Sequence, residues 1–112
     1  MVKRFTPDRG DLIWIDMNPQ AGHEQSGRRP ALVLSPAAYN GRTGLAVLCP
    51  VTSRRKGYPF EVELPDSGEV AGVVLADQVR NLDWRARNAT GGGRAPVGVV
   101  EEVLGKLGTL IG

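Results

Sequence analysis

The 112-residue sequence contains one cysteine and one histidine. A single cysteine cannot form an intrachain disulfide, and together with one histidine it provides too few ligands for a structural zinc site. No apolar run reaches the roughly 18 residues of a membrane-spanning helix. The basic N-terminus is not followed by the apolar stretch of a signal peptide. We therefore expect no metal, no membrane contact and a cytoplasmic location.

The formal net charge is only +2, which is weak for a nucleic-acid-binding protein. The positive charges nevertheless concentrate in segments rich in glycine and proline, whereas Glu61 and Glu63 lie in a strand-like alternation. If these segments meet on one side of the fold, that face suits a polyanion. Simple solvation of surface loops explains the same pattern, so charge alone does not decide between the two interpretations.

The length and the apolar fraction of 41% indicate one globular domain over residues 1–112. Short apolar or alternating runs predict strands at 11–16, 31–34, 45–49, 60–64, 70–75 and 79–82. We predict a loop over Gln20–Pro30, a turn over Tyr39–Gly44, and the end of a strand at Pro50.

The C-terminal segment changes to a helical period. A single stripe is predicted, made up of Val97, Val100, Leu104, Leu107 and Ile111. Short strands followed by one helix predict a mainly β fold, in the form of a small, strongly bent antiparallel barrel.

The sequence lacks a glycine-rich phosphate loop and a nucleophile elbow, and it predicts no cofactor. The densest polar cluster lies at Gly22–Pro30. There Glu24 can take a proton from the 2′-hydroxyl of RNA, and Arg29 can hold the charge on the phosphate. A solvated carboxylate and a surface cation are the alternative interpretation of these two residues.

Two further clusters combine polar and cationic groups. Thr52 and Ser53 precede three consecutive cations, an arrangement that can bind phosphate. In the segment 77–87, Gln78 can read a base edge, Arg80 can pair with phosphate and Trp84 can stack on a base. A local hydrogen bond of Thr52 and a buried Trp84 are the structural alternatives.

Taken in order, five segments resemble the MazF/PemK-type toxins. They are GDLIW at 10–14, EQSGRRPALVLSP at 24–36, CPVTS at 49–53, KGYPFEVEL at 56–64 and LADQVRNLDWRAR at 75–87. The resemblance implies an SH3-like (CcdB/PemK-type) barrel that forms a homodimer. It also implies a metal-independent, sequence-specific endoribonuclease that cleaves single-stranded RNA and leaves a 2′,3′-cyclic phosphate and a 5′-hydroxyl.

The same resemblance assigns catalytic roles to Arg29, Thr52 and Glu24. The residues expected to contact RNA are Gln25, Arg28, Ser53, Lys56, Gln78 and Arg80. It implies a MazE-like antitoxin whose acidic tail occupies the RNA groove. Two alternatives remain, because the same barrel occurs in toxins that bind DNA gyrase, and because a barrel of this kind can bind RNA without cleaving it.

Overall fold

The computed structural model describes residues 5–17, 27–66 and 68–112. These ranges contain seven strands and two helices. In chain order the elements are β1 (Asp11–Asp16), β2 (Arg28–Val33), α1 (Ala37–Thr43), β3 (Leu45–Thr52), β4 (Glu61–Glu63), β5 (Val73–Leu75), β6 (Arg80–Asp83), β7 (Thr90–Arg94) and α2 (Val97–Ile111).

The strands form one antiparallel sheet in the order β4-β5-β3-β2-β1-β7, with β6 also paired to β3. Strand β3 organises this sheet. One of its edges pairs with β2, and the other pairs first with β6, where Leu48 faces Arg80, and then with β5, where Val51 faces Val74. Among the described strands no pairing closes the sheet. The prediction of a mainly β fold with a C-terminal helix is confirmed.

Several predicted boundaries are wrong. The strand predicted at 70–75 is only Val73–Leu75, and β7 was not predicted. Strand β2 begins inside the predicted loop Gln20–Pro30, because Arg28 pairs with Asp16 of β1. Helix α1 replaces the predicted turn at 39–44, and Gly44 ends it with a left-handed φ of 75°. Strand β3 continues through Pro50. Proline has no N–H to donate, but the pairs on either side of it, Cys49 with Leu32 of β2 and Val51 with Val74 of β5, keep the strand extended.

The predicted apolar stripe of α2 is only partly correct. The buried side chains are Val99, Val100, Val103 and Leu107. Val97 and Ile111 are instead 74% and 76% exposed, and Leu104 is 39% exposed. The helix is therefore rotated relative to the prediction, because residues spaced four apart at 99, 103 and 107 face the sheet.

Apolar side chains fill both faces of the central strands. Leu12 and Leu32 belong to a cluster that includes the buried side chains of α2, whereas Ile13 and Val33 belong to a second cluster with Trp84. This two-sided burial explains why β1 and β2 contain nearly continuous apolar runs. In the described part of the chain, no helix has both the length and the apolar character needed to cross a membrane.

Candidate active site

The register between β2 and β3 brings together two predicted site residues that are distant in sequence. Ala31 pairs with Pro50, and Leu32 with Cys49. Continuing this antiparallel register by two residues places Arg29 opposite Thr52. Both residues, together with Ser53 and Arg54, line one cavity of about 310 Å³.

Thr52 is held in a defined environment at the end of β3. The residue is buried, with only 7% of its surface exposed. The hydroxyl Oγ1 accepts a hydrogen bond from the backbone N–H of Arg54 at 3.2 Å. Because a threonine hydroxyl also has one proton to donate, this contact leaves the proton available to a ligand. The local hydrogen bond expected from the structural alternative is thus present and compatible with a role in the site.

A second cavity, of about 390 Å³, continues from the first and shares Thr52 and Arg54 with it. Its other lining residues are Lys56, Tyr58, Glu61, Leu75, Asp77 and Gln78. We call the two connected cavities the groove. It runs from the end of β3, between the segment 53–60 and the turn 76–79 that joins β5 to β6.

The segment 53–60 has no regular secondary structure, but several contacts fix its position. The Glu61 carboxylate accepts the backbone N–H groups of Lys56 at 3.0 Å and Gly57 at 3.2 Å. From α2, the Lys106 ammonium donates to the carbonyl oxygens of Pro59 and Glu61 at 2.5 and 3.2 Å. The cationic wall of the groove is therefore positioned before any ligand arrives.

The backbone of Gly72 lies very close to the backbone carbonyl group of Thr52. Its φ is +121°, a conformation that side chains with a Cβ rarely adopt. A Cβ added here would overlap the Thr52 carbonyl oxygen and lie 2.9 Å from the carbonyl carbon. Only glycine at this position allows β5 to begin directly against the end of β3.

Two predicted RNA contacts lie away from the groove. Arg28 forms an ion pair with Asp16 at 3.1 Å and donates to Thr90 Oγ1 at 2.9 Å. Successive strand residues face opposite sides of a sheet, which separates Arg28 from Arg29. Arg80 lies in β6 and lines neither cavity of the groove. Its buried Nη1 has no hydrogen-bond partner within the residues that the structure describes.

Other predicted residues divide into three groups. Ser53, Lys56 and Gln78 line the groove. Glu24 and Gln25 lie outside the described residues. Of the two alternatives for Trp84, the structure has the buried one, because Trp84 is 5% exposed and its Nε1 donates to the Asn40 carbonyl oxygen at 2.9 Å.

One aromatic residue of the groove was not among the predicted site residues. Tyr58 is 47% exposed, and its hydroxyl donates to Asp77 Oδ2 at 2.8 Å. This hydrogen bond and the negative charge of Asp77 raise the pKa of Tyr58. The sequence does contain a signal for Tyr58, because an aromatic residue that follows a run of cations is typical of a surface that binds single-stranded RNA.

The groove has a net cationic lining. Arg29, Arg54 and Lys56 are exposed along it. Of its two acidic residues, Glu61 is directed to backbone N–H groups and Asp77 to a phenol. Such a surface attracts a polyanion. Over residues 5–17, 27–66 and 68–112, no group of three or more histidine, cysteine, aspartate or glutamate side chains is arranged to hold a metal ion.

Comparison with known proteins identifies the family. The family model of the PemK-like, MazF-like toxin of type II toxin-antitoxin systems matches residues 8–111. The chain belongs to this family. It is 50% identical over 112 residues to the endoribonuclease toxin MazF of Escherichia coli K12, with 100% of both chains covered.

Solved structures agree with this membership. The crystal structure of MazF from Deinococcus radiodurans superimposes with a TM-score of 0.94 at 64% identity, covering 96% of this chain and 98% of that one. A MazE-MazF crystal structure from the same organism gives a TM-score of 0.88 at 64% identity, covering 96% and 97%. The predicted MazF/PemK membership and the predicted class, an endoribonuclease toxin, are confirmed.

Proposed function

We propose that this member of the MazF/PemK family cleaves single-stranded RNA in the groove, without a metal ion and with sequence selectivity. The observation that carries the proposal is the convergence of Arg29 and Thr52 on one cavity. They come from different strands, and both present groups that donate hydrogen bonds. Such donors stabilise the negative charge that develops on a phosphate during transesterification.

In the proposed reaction the 2′-oxygen of one nucleotide attacks the adjacent phosphorus atom. A bond forms between the 2′-oxygen and phosphorus, and the bond between phosphorus and the 5′-oxygen breaks. The products are a 2′,3′-cyclic phosphate and a 5′-hydroxyl. Arg29 binds a non-bridging oxygen with its planar fork, and the Thr52 hydroxyl donates to the same phosphate. Glu24 is proposed to take the 2′-hydroxyl proton and later release it to solvent, while a water molecule supplies the proton that the departing 5′-oxygen takes up.

The test uses purified protein, single-stranded RNA and a chelator. We expect cleavage, with mass spectrometry identifying the cyclic phosphate. Arg29→Ala and Thr52→Val should each lower kcat by about 100-fold or more, the usual effect of removing one such donor. Thr52→Ser, which keeps the hydroxyl, should retain most of the activity.

Arg42→Ala is a matched control, because Arg42 is an exposed arginine of α1 outside the groove. It should cleave at the wild-type rate. Full activity of Arg29→Ala would refute the assignment of this residue. RNA left intact by the wild-type protein would refute nuclease activity and favour the alternatives, gyrase binding or RNA binding without cleavage.

We also propose a cytoplasmic homodimer that is neutralised by a MazE-like antitoxin. The related toxin of Deinococcus radiodurans was crystallised with MazE. The cationic lining of the groove suits an acidic tail, and the exposed apolar residues Val97, Leu104, Leu110 and Ile111 of α2 suit a protein contact. Light scattering measures the mass of the free protein, and an inhibition assay with the cognate antitoxin tests neutralisation.

A further inference from the structure

We propose that Tyr58 and Asp77 form a base-selecting subsite in the groove, in which Tyr58 stacks on one base of the RNA and Asp77 accepts a hydrogen bond from the exocyclic amino group of that base. This inference rests on the proposed RNA cleavage at Arg29 and Thr52. It adds the residues that select the sequence of the substrate.

The exposure of Tyr58 is the first argument. Its ring packs at a tilt of 47° against Phe60, with ring centroids 5.8 Å apart. The same residue is 47% exposed on the wall of the cavity that contains Lys56. Stacking of bases on aromatic rings beside a cationic groove is the usual way in which proteins hold single-stranded RNA.

The position of the Tyr58 ring is fixed at both ends. The hydroxyl is hydrogen-bonded to Asp77 Oδ2, which joins the segment 53–60 to the turn between β5 and β6. The Lys106 ammonium holds the carbonyl oxygen of the next residue, Pro59. A ring that is already ordered loses little conformational freedom when a base stacks on it.

The unused acceptor of Asp77 is the second argument. Its Oδ2 accepts from Tyr58, whereas its Oδ1 has no hydrogen-bond partner among the residues that the structure describes. A carboxylate oxygen is an acceptor only, so it complements a donor on the base. Cytosine N4 and adenine N6 present such amino donors, and uracil presents a carbonyl oxygen at the corresponding position.

Gln78 lies beside Asp77 in the same cavity and contributes a second polar group. Its side-chain amide makes no hydrogen bond within the described ranges. An amide provides one acceptor and two donors, so Gln78 can contact a ring nitrogen next to the amino group. Asp77 therefore supplies the selection against a carbonyl, and Gln78 supplements it.

The first experiment digests an RNA pool of random sequence and determines the base frequencies around the cleavage sites. For the wild type we expect one position enriched in adenine or cytosine and depleted in uracil. Asp77→Asn, in which the amide can also donate, should lose the discrimination against uracil at this position while still cleaving the pool. Asp66→Asn is the control, since Asp66 is exposed and lies outside the groove.

The second experiment separates the ring from its hydroxyl. Tyr58→Phe keeps the stacking surface and should change kcat/KM by less than about fivefold. Tyr58→Ala should lower kcat/KM by roughly tenfold or more, chiefly through KM, because base stacking contributes to binding. Circular dichroism checks that both variants are folded.

The third experiment removes the amino group from the RNA. An oligonucleotide of the preferred sequence carries purine riboside in place of adenosine, or 2-pyrimidinone riboside in place of cytidine. This change should lower kcat/KM of the wild type by about tenfold and have little further effect on Asp77→Asn, because both changes remove the same contact.

The outcomes distinguish this inference from the proposed function. If the wild type cleaves the pool and Asp77→Asn shows the same base frequencies, the subsite is refuted and the nuclease activity stands. The same conclusion follows if Tyr58→Ala is folded and keeps the wild-type KM. If the wild type cleaves no RNA, the proposed function fails and the subsite fails with it.

Discussion

Replacing Gly72 with alanine tests how the backbone positions the proposed catalytic threonine. The added Cβ would lie 2.9 Å from the Thr52 carbonyl carbon and 3.2 Å from the Ser53 Cα, and it would overlap the Thr52 carbonyl oxygen. These are backbone atoms at the end of a paired strand, so they cannot move aside as a flexible side chain does. The positive φ of 121° adds strain of its own.

The expected destabilisation is large. A non-glycine residue in a sparsely populated backbone region costs about 1–3 kcal/mol. Overpacking a filled interior costs typically another 1–3 kcal/mol. We therefore expect Gly72→Ala to lower the free energy of unfolding by about 2–6 kcal/mol, a large part of the roughly 5–15 kcal/mol of an ordinary domain.

Urea denaturation measures this loss. A Gly105→Ala variant provides the control, because a Cβ at Gly105 in α2 meets no atom within 4 Å. Alanine is favoured over glycine inside a helix, so this variant should gain up to about 1 kcal/mol.

The activity of Gly72→Ala separates strain from simple unfolding. Since relief of the overlap displaces Thr52, the fraction that remains folded should cleave RNA more slowly than the wild type, while Gly105→Ala keeps full activity. If Gly72→Ala is as stable as the wild type and fully active, the argument from the close approach is refuted.

Two further predictions concern buried polar groups. Burial, and to a smaller extent the negative charge of Asp77, raises the pKa of Cys49 to about 12. The native thiol should therefore resist iodoacetamide at pH 8 and react only in denaturant. Mass spectrometry measures the labelling, and prompt labelling of the native protein would contradict the prediction. Asn40 is fully buried and donates from Nδ2 to the carbonyl oxygens of Pro7 and Ser35 at 2.8 and 2.9 Å. Asn40→Asp turns these contacts into repulsion between oxygen atoms and should cost about 3 kcal/mol in urea denaturation, whereas wild-type stability would refute this role.

Local patterns in the sequence predict six of the seven strands, but they miss β7, whose sequence TGGGR has no strand pattern. The alternation at 60–64 predicts β4, in which Val62 is buried and Glu63 is exposed, and the next residue, Leu64, is buried again. The pattern fails where distant contacts decide the structure. Helix α1 forms in a segment with turn-like composition, and its fully buried Asn40 bonds to Pro7 and Ser35, which the local sequence does not reveal.

The candidate site also depends partly on local sequence and partly on distant contacts. Residue types and the family resemblance select Arg29 and Thr52, which stay predicted catalytic residues until variants are assayed. Their proximity depends on the register of β2 against β3, a long-range pairing that no local pattern specifies. Arg28 illustrates the consequence, because it neighbours Arg29 in sequence but pairs with Asp16 instead of lining the groove.

The position of β3 explains why the groove lies where it does. Its C-terminal end carries Thr52 and leads into the cationic segment 53–60. One edge of β3 brings Arg29 on β2 to this end, and the other edge brings β5 and the following turn with Asp77. The carboxylate proposed to select the base and the arginine proposed to bind phosphate therefore lie on opposite sides of one strand end. Substitutions in the turn can consequently change which RNA is cleaved without moving the groups proposed to cleave it.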